Sequence, residues 1–476
     1  MRDDWDAVVV GAGPNGLVAA ATLGQAGWRV LVLEAAHSVG GGTRSAVLSR
    51  PGFLHDRCST VHPLAVVSPA MAALDLVGRG VTWLHPQVQV AHPLDGGRAA
   101  LLERSVGETA TGFGGDARAY RSLMGPLVDD ADPVVAAVLS PLALPPVAAL
   151  PALGRFARLG VRSAARLARS RFAGEEAQAL LAGLAAHSML SLGSLGTAGY
   201  GLFLGLLGHS AGWPVAAGGS QSIAEALAAA VRSYRGEIVT GQTVRSVDDL
   251  PPARATLLDV SPRQLVELAA DRLPPRYRRA LERYRYGSGV WKVDWALDGP
   301  VPWAAAGARL AATVHVGGTL DQVASAEAEV TAGHHPRRPF VLVVQPTIVD
   351  PTRAPAGGHV AWGYCHVPHA STVDMTDRIE EQIERFAPGF KDRIIARHVT
   401  SPAELEQYDA NYIGGDIAVG RTDLMQLVTR PVAARRPWCT PIPGLYLCSS
   451  ATPPGPGVHG MCGWHAAQSA LSDVRR

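Results

Sequence analysis

Three sets of residues in this 476-residue chain have types and spacings that can do chemistry. The first is Gly11-Ala-Gly-Pro-Asn-Gly16, with Glu34 standing 18 residues after the last glycine. Gly11 permits a tight turn, Gly13 lets the backbone approach a pyrophosphate, and Gly16 lets a helix pack closely on a strand. Pro14 and Asn15 open that helix, whose free N–H groups suit phosphates, and Glu34 is placed to accept from ribose hydroxyls. The second is Lys292 in Tyr286-Gly-Ser-Gly-Val-Trp-Lys-Val-Asp-Trp295. It is one of only two lysines beside Lys391, in a chain that otherwise uses arginine. A compact ammonium shifts its pKa when desolvated, whereas a guanidinium does not. The third is His459, in Gly457-Val-His-Gly-Met461, at the expected start of a closing helix. Histidine can move a proton near neutrality, and a helix N-terminus at this point favours an anion.

These groups need elements to hold them. Asp6–Val10 reads as a buried strand, the Ala/Leu-rich segment to about Gly27 as a helix, and Arg29–Leu33 as a second strand. Together they make a β-turn-α-β unit around the glycines. Gly444–Cys448 reads as a further strand, and the Pro/Gly-rich run after it cannot be regular structure. Gly236–Thr240, Thr243–Val247 and Ala255–Val260 read as strands as well. No second strand-GxGxxG-helix unit occurs, because Gly193–Gly199 lacks a preceding strand and a following acid and reads as a helix break.

Composition narrows the classes. Hydrophobic residues make up 47% and charged ones 18%, so a large core is expected and disorder is excluded. A net charge of +2 gives no basic field for nucleic acid. The five cysteines form no CxxC and no metal-type cluster, so neither a disulfide framework nor a metal site is expected. Ser-His-Asp order, HExxH and the Walker loop are absent from the sequence. Met1-Arg-Asp-Asp4 leads straight into a strand-like run, which leaves no room for a secretory signal, and the expected compartment is the cytosol.

Between Glu176 and Glu225 lie 48 residues without Asp, Glu, Lys or Arg. Two Leu/Ala-rich helical stretches there, about 177–190 and 197–208, carry His187, Met189, His209 and Trp213. A membrane span, a plain core and the wall of an apolar substrate cavity all fit this pattern, with Ser188, Ser191, Gly201 and Gly205 interrupting any span. Upstream, 133–154 is charge-free with five prolines. Arg155, Arg158, Arg162, Arg166 and Arg169 then follow at helical spacing. One reading is a cationic helix face resting peripherally on an anionic membrane through 133–169, and the other is an ordinary solvated face.

The glycine turn, together with Val39-Gly-Gly-Gly-Thr-Arg-Ser45 and Pro454-Gly-Pro-Gly-Val-His-Gly-Met-Cys-Gly-Trp-His-Ala-Ala467, resembles the phytoene dehydrogenase-related family of FAD-dependent oxidoreductases, in its pyridine nucleotide-disulfide oxidoreductase domain protein 2-like branch. His55-Asp56 with His62-Pro63, Gly208–Pro214 with Gly218–Gln221, and Asn411–Asp416 extend the likeness over nearly the whole chain. The resemblance implies an α/β fold: a Rossmann-type FAD-binding domain from 1–75, 214–262 and 425–476, with an α+β substrate domain from 76–213 and 263–424. It implies FAD contacts from Glu34 and Ala35, from Gly40, Gly41, Gly42, Thr43 and Arg44, from Val244 through its backbone, and from Ser450, Gly457, Val458, His459 and Met461. Relatives usually place Arg directly after the glycine pair. Here Gly42 stands there and Arg44 follows two residues later, leaving the pyrophosphate's cation open. Ser449-Ser450 stands where related enzymes often carry Gly-Asp or Gly-Glu.

The resemblance also places His459 beside the isoalloxazine. The Lys292 strand is similar to one in flavin amine oxidases whose lysine holds a water at flavin N5; pairing with Asp294 is the equal alternative. Asp416, His55 and His62 are weaker candidates, because polar loop residues usually cap or turn. The implied activity is hydride removal by FAD from a hydrophobic substrate, such as carbon–carbon desaturation. The acceptor that reoxidises the flavin is left open, dioxygen and quinones included. The alternatives are a flavin amine oxidase and a non-catalytic flavoprotein that binds a lipid or partner.

Overall fold

The computed structural model describes residues 5–140, 146–269 and 271–474. Its architecture follows from two sheets. Trp5–Val10 and Val30–Leu33 are buried apolar runs that pair in parallel, joined by the helix Pro14–Gln25. Ala253–Leu258 pairs in parallel on the other side of the first strand, Leu445–Leu447 lies beyond it, and Glu237–Val239 forms the opposite edge. The five-stranded order is therefore 445–447, 253–258, 5–10, 30–33, 237–239. All of these strands lie within 1–75, 214–262 and 425–476.

The second sheet has seven strands in the order 394–400, 289–297, 359–367, 341–344, 311–316, 88–94, 98–102. Because side chains alternate across a strand, register decides what each face carries. Lys292 faces Tyr364, Tyr364 faces Leu342, and Leu342 faces His315. The next row on that face runs Asp294, Trp362, Val344, Thr313, Val90. Trp291, Val293, Trp295 and Cys365 point the other way, into a core under the helix Thr376–Phe386.

Residues 243–247 do not form a strand. After the edge strand at 237–239, the N–H groups of Gly241 and Gln242 bond to the carbonyls of Ala36 and Glu34. These bonds draw the chain across the loop after Leu33 and away from a ladder. Val244 is part-buried in this irregular stretch, so the strand expected at Thr243–Val247 is corrected.

The five spaced arginines do not share one helix either. A break at 161–163, where Ser163 caps the next helix, separates Leu150–Gly160 from Ala164–Arg171. Arg155 pairs with Asp130, and Arg169 with Asp321, so part of the expected cationic face is taken up in ion pairs at the protein's own surface. Residues 141–145 of the proline-rich run, and the start at 1–4, lie outside the described residues. Among the described residues no helix is long and apolar enough to cross a membrane.

The central charge-free stretch forms the helices Glu175–Ala186 and Thr197–Ser210, with Gly196 in a left-handed conformation at the break between them. Most of their residues are packed core. In the loop between them, Met189 and Leu190 border a cavity of about 180 Å³, with Tyr286, Val330, Pro368 and Arg421 among its other walls.

The two ends of the chain meet where the helix Met461–Val474 crosses Pro14–Gln25. A Cβ on Gly463 would sit 1.8 Å from the carbonyl oxygen of Asn15, so only glycine allows this approach. Gly463→Ala must push backbone from backbone, and we expect it to cost about 3 kcal/mol, the upper end for overpacking. Denaturant unfolding should show this as a lowered midpoint with unchanged slope.

Candidate cofactor and active site

The glycine turn is closed by its own geometry. A Cβ on Gly16 would lie 2.0 Å from the Gly11 carbonyl, and Gly11 has φ +101°. Gly40 donates to the Ala12 carbonyl, and Gly41 packs so that a Cβ would lie 3.1 Å from the Cα of Gly13. The Gly41–Thr43 turn therefore lies directly on the first glycine turn, with the Thr43 hydroxyl donating to the Gly40 carbonyl. Glu34 accepts from the N–H groups of Ala12 at 2.6 Å and Ala36 at 2.9 Å. Arg44 is committed to Glu34 at 3.0 Å and to the Ser38 carbonyl. This explains its displaced position in sequence: it braces the acid. Ala35 is exposed beside it.

Ser450 comes to the same place from the far end of the chain, accepting from Asn15 Nδ2 at 3.3 Å. Asn15 Oδ1 is buried without a partner. Ser449 donates to the Val260 carbonyl. Gly457 has φ +126° and a Cβ there would strike Leu64. Val458 is half-buried and Met461 buried.

His459 behaves differently from expectation. The helix begins at Met461, whose N–H donates to His459 Nδ1 at 3.0 Å, while Nε2 donates to the Gly455 carbonyl at 3.2 Å. Burial pushes its pKa down to about 4. Both ring nitrogens of a neutral imidazole are thus spent on backbone, and the ring caps a helix with no nitrogen free for proton transfer.

Lys292 is 2% exposed, and its ammonium bonds to Asp294 on the same strand and to the Asp56 carbonyl at 3.2 Å. It also stands 5.0 Å over the Trp362 ring. The pairing alternative is therefore present, with an aromatic neighbour the sequence did not reveal. His55 lies 3.5 Å from Asp294 and bonds Ser49, and burial pushes its pKa down to about 4. His62 bonds Ser220. Asp416 accepts from the N–H groups of Gly287, Ala418 and Gly420, which makes it a loop scaffold.

Several residues were missed in the sequence. Trp362, Tyr364 and His366 alternate on one strand and stack side by side on the inner face, with Trp362 and Tyr364 5.9 Å apart. His366 meets Glu327 at 2.9 Å, and His187 meets His315 at 2.9 Å. The alternation in Trp-Gly-Tyr-Cys-His was readable; which sheet face lies inward was not. Asp259 was also missed. Its Oδ2 accepts from the Gly16 N–H at 2.9 Å, at the helix N-terminus, and burial pushes its pKa up to about 8. All five cysteines are free thiols, and among the described residues no cluster of three or more His, Cys, Asp or Glu could hold a metal ion.

A parallel sheet with a glycine turn and an acid at the end of the second strand defines a Rossmann-like dinucleotide-binding unit, and residues 9–74 match the NAD(P)-binding Rossmann-like domain family. Over its full length the chain is 27% identical to the rat pyridine nucleotide-disulfide oxidoreductase domain-containing protein 2, covering 94% of that protein. Over 97 residues, 20% of this chain and 17% of the other, it is 35% identical to one of the limonene dehydrogenase subunits of Castellaniella defragrans. A solved structure of putrescine oxidase bound to putrescine superposes with a TM-score of 0.62 at 18% identity, covering 99% of each chain. The fold is that of the flavin-type oxidoreductases, and these likenesses support a flavin cofactor. The residues present fit such a group: two glycine turns that no Cβ could enter, Glu34 with spare acceptor capacity, and the partnerless Asn15 Oδ1 where the two ends of the chain meet.

Proposed function

We propose that this chain is an FAD-dependent oxidoreductase that takes a hydride from a hydrophobic substrate, by carbon–carbon desaturation or a related dehydrogenation. The observation that carries this reading is the inner face of the seven-stranded sheet. There Lys292, Trp362, Tyr364 and His366 share one buried face, in a molecule whose two ends converge on one dinucleotide turn. The partial likeness to a protein of limonene dehydrogenase supports an apolar substrate. When bound, FAD supplies the hydride acceptor.

The protein's own part is to hold and enclose. Gly11, Gly13, Gly16 and Glu34 would hold the adenosine and phosphates. Gly40–Arg44 with Ser450, Gly457, Val458 and Met461 would hold the remainder, and Val244 would border the adenine from its irregular segment. Trp362 and Tyr364 offer flat apolar faces to a substrate, and the helices at 175–186 and 197–210 cover the neighbouring strands 88–94, 98–102 and 311–316 against water. Lys292 is the one ammonium on this floor and is the group we assign to hold or pass a proton there, with Asp294 fixing its position.

A flavin amine oxidase is the second reading, favoured by the Lys292 strand and by the stacked Trp362 and Tyr364 beside it. Anaerobic mixing of the FAD-loaded protein with a panel of polyenes, terpenes and amines tests both. Bleaching of the flavin's visible absorbance by an apolar donor is the expected result, and reduction by amines alone would replace the first reading with the second. Failure across the panel would leave a binding protein. With a donor in hand, Lys292→Met should slow flavin reduction at least a hundredfold, within the range of general acid–base effects. An unchanged rate would remove Lys292 from the chemistry.

A further inference from the structure

Arg430 is wholly buried, with 0% exposure. Its Nη2 donates to the Tyr284 hydroxyl at 2.9 Å and lies 3.4 and 3.5 Å from the carbonyls of Val419 and Gly420. Nε and Nη1 have no hydrogen-bond partner, which leaves three N–H groups unused. The groups raising its pKa are the phenols of Tyr284 and Tyr200 and the Cys462 thiol. Asp416 is the carboxyl near it, but burial pushes that group towards its neutral form and three backbone N–H groups already occupy it. A guanidinium cannot escape burial by losing its proton. A buried charge without an anion is strongly disfavoured, so this one is built for an anion that arrives with a ligand.

Its position says which kind. Gly455, with φ +109°, brings its backbone so close that a Cβ would lie 2.6 Å from Nη1. That residue belongs to the loop leading into the helix Met461–Val474, where His459 and Cys462 bond to its carbonyl. On the opposite side, Val419 and Gly420 lead into Arg421, a wall of the 180 Å³ cavity. Tyr284 packs edge-on at 5.4 Å against Tyr286, another wall of it. The cation therefore stands between the candidate flavin loop and the neighbours of a cavity whose walls mix Met189, Leu190 and Val330 with Ser288, Thr331, His369 and Arg421.

We propose that Arg430 anchors a subsite for a substrate carboxylate. This rests on the oxidoreductase reading above. A planar anionic edge could also come from the flavin ring itself, and the experiment separates the two sources. The full-length, FAD-loaded protein is titrated with decanoate and with decanol, which share a chain and differ in the carboxylate. Tryptophan fluorescence and the shift in Tm report binding without turnover. Decanoate should bind at least tenfold more tightly than decanol, and Arg430→Met should abolish that preference while changing decanol affinity less than twofold. Without ligand, Arg430→Met should melt no lower than the wild type, because it removes an unpaired buried charge. If it fails to fold, Arg430→Lys serves instead and should bind decanoate about tenfold more weakly.

No preference for decanoate in the wild type overturns the proposal. A loss of FAD affinity in Arg430→Met without any carboxylate preference also overturns it, and assigns the cation to the flavin. A decanoate preference in a protein whose flavin no donor reduces would keep the subsite and remove only the oxidoreductase reading.

Discussion

FAD affinity is expected to be flat up to about pH 8 and to weaken about tenfold for each pH unit above it. The cause is Asp259, whose carboxyl accepts from the Gly16 N–H where a phosphate would meet the helix N-terminus. A Cβ on Gly13 would lie 2.9 Å from its Oδ2, so the group lines the glycine turn itself. Burial pushes its pKa up to about 8, and Asp409 and Glu34 push it the same way. Arg44, the nearby cation, is spent on Glu34, and the Cys448 thiol alongside is held neutral. Below pH 8 the carboxyl is neutral and tolerates a pyrophosphate; above it, one proton must be taken up on binding, which sets the slope.

Asp259→Asn should bind FAD at pH 7 within a few-fold of the wild type and show no slope to pH 9.5, read by quenching of FAD fluorescence. A slope that survives the substitution would refute the assignment. The apo protein carries the same signature. Because the folded pKa lies above the unfolded value, the folded state holds the extra proton between about pH 4 and 8. Wild-type stability should therefore fall across that window relative to Asp259→Asn, and run parallel to it above pH 8.

The parts of this molecule legible in its sequence are those governed by local pattern. The turn at Gly11–Gly16, the strands around it and Glu34 follow from glycine sterics and apolar runs over fewer than 30 residues. The helix break at Gly196 follows from glycine density in the same way. Long-range partners were not legible. The role of Arg44 stayed open because its partner, Glu34, is identified only once the Gly41–Thr43 turn is folded back. His459 was placed beside the flavin by resemblance, and the backbone partners that occupy both its ring nitrogens, Gly455 and Met461, are brought to it only by the folded loop. The strand at Thr243–Val247 had suitable residues and no ladder to join. Asp259 and Arg430 carry no motif at all; what makes them notable is burial, which only the whole fold creates.

Arg353→Leu is expected to destabilise the protein by about 3–5 kcal/mol at pH 7, the cost of stranding buried charges by removing their partner. Arg353 is fully buried and pairs with Asp56 at 2.9 Å and Asp350 at 2.8 Å, while also donating to the Ala216 carbonyl. Asp56 in turn accepts from the Ser45 and Thr60 hydroxyls and from the Ser220 N–H. Thr60 accepts from the Trp362 indole, and the Asp56 carbonyl accepts from Lys292. One ion-pair cluster thus ties the strand pair 45–47 and 54–56, the 216–220 loop and the seven-stranded sheet to each other.

Burial pushes the Asp56 carboxyl up, yet the guanidinium and the bonds from Ser45 and Ser220 hold it below the usual carboxylate range. Its contribution is present above the unfolded pKa of about 4 and lost as pH falls through the folded one. The gap in Tm between wild type and Arg353→Leu should therefore be widest near neutrality and close below about pH 4. A gap that stays constant to pH 3 would show that the lost stability is packing rather than charge. Because Lys292 hangs on the Asp56 carbonyl, the folded fraction of the variant should also reduce its flavin more slowly with whichever donor the panel identifies. This loss accompanies the fall in stability.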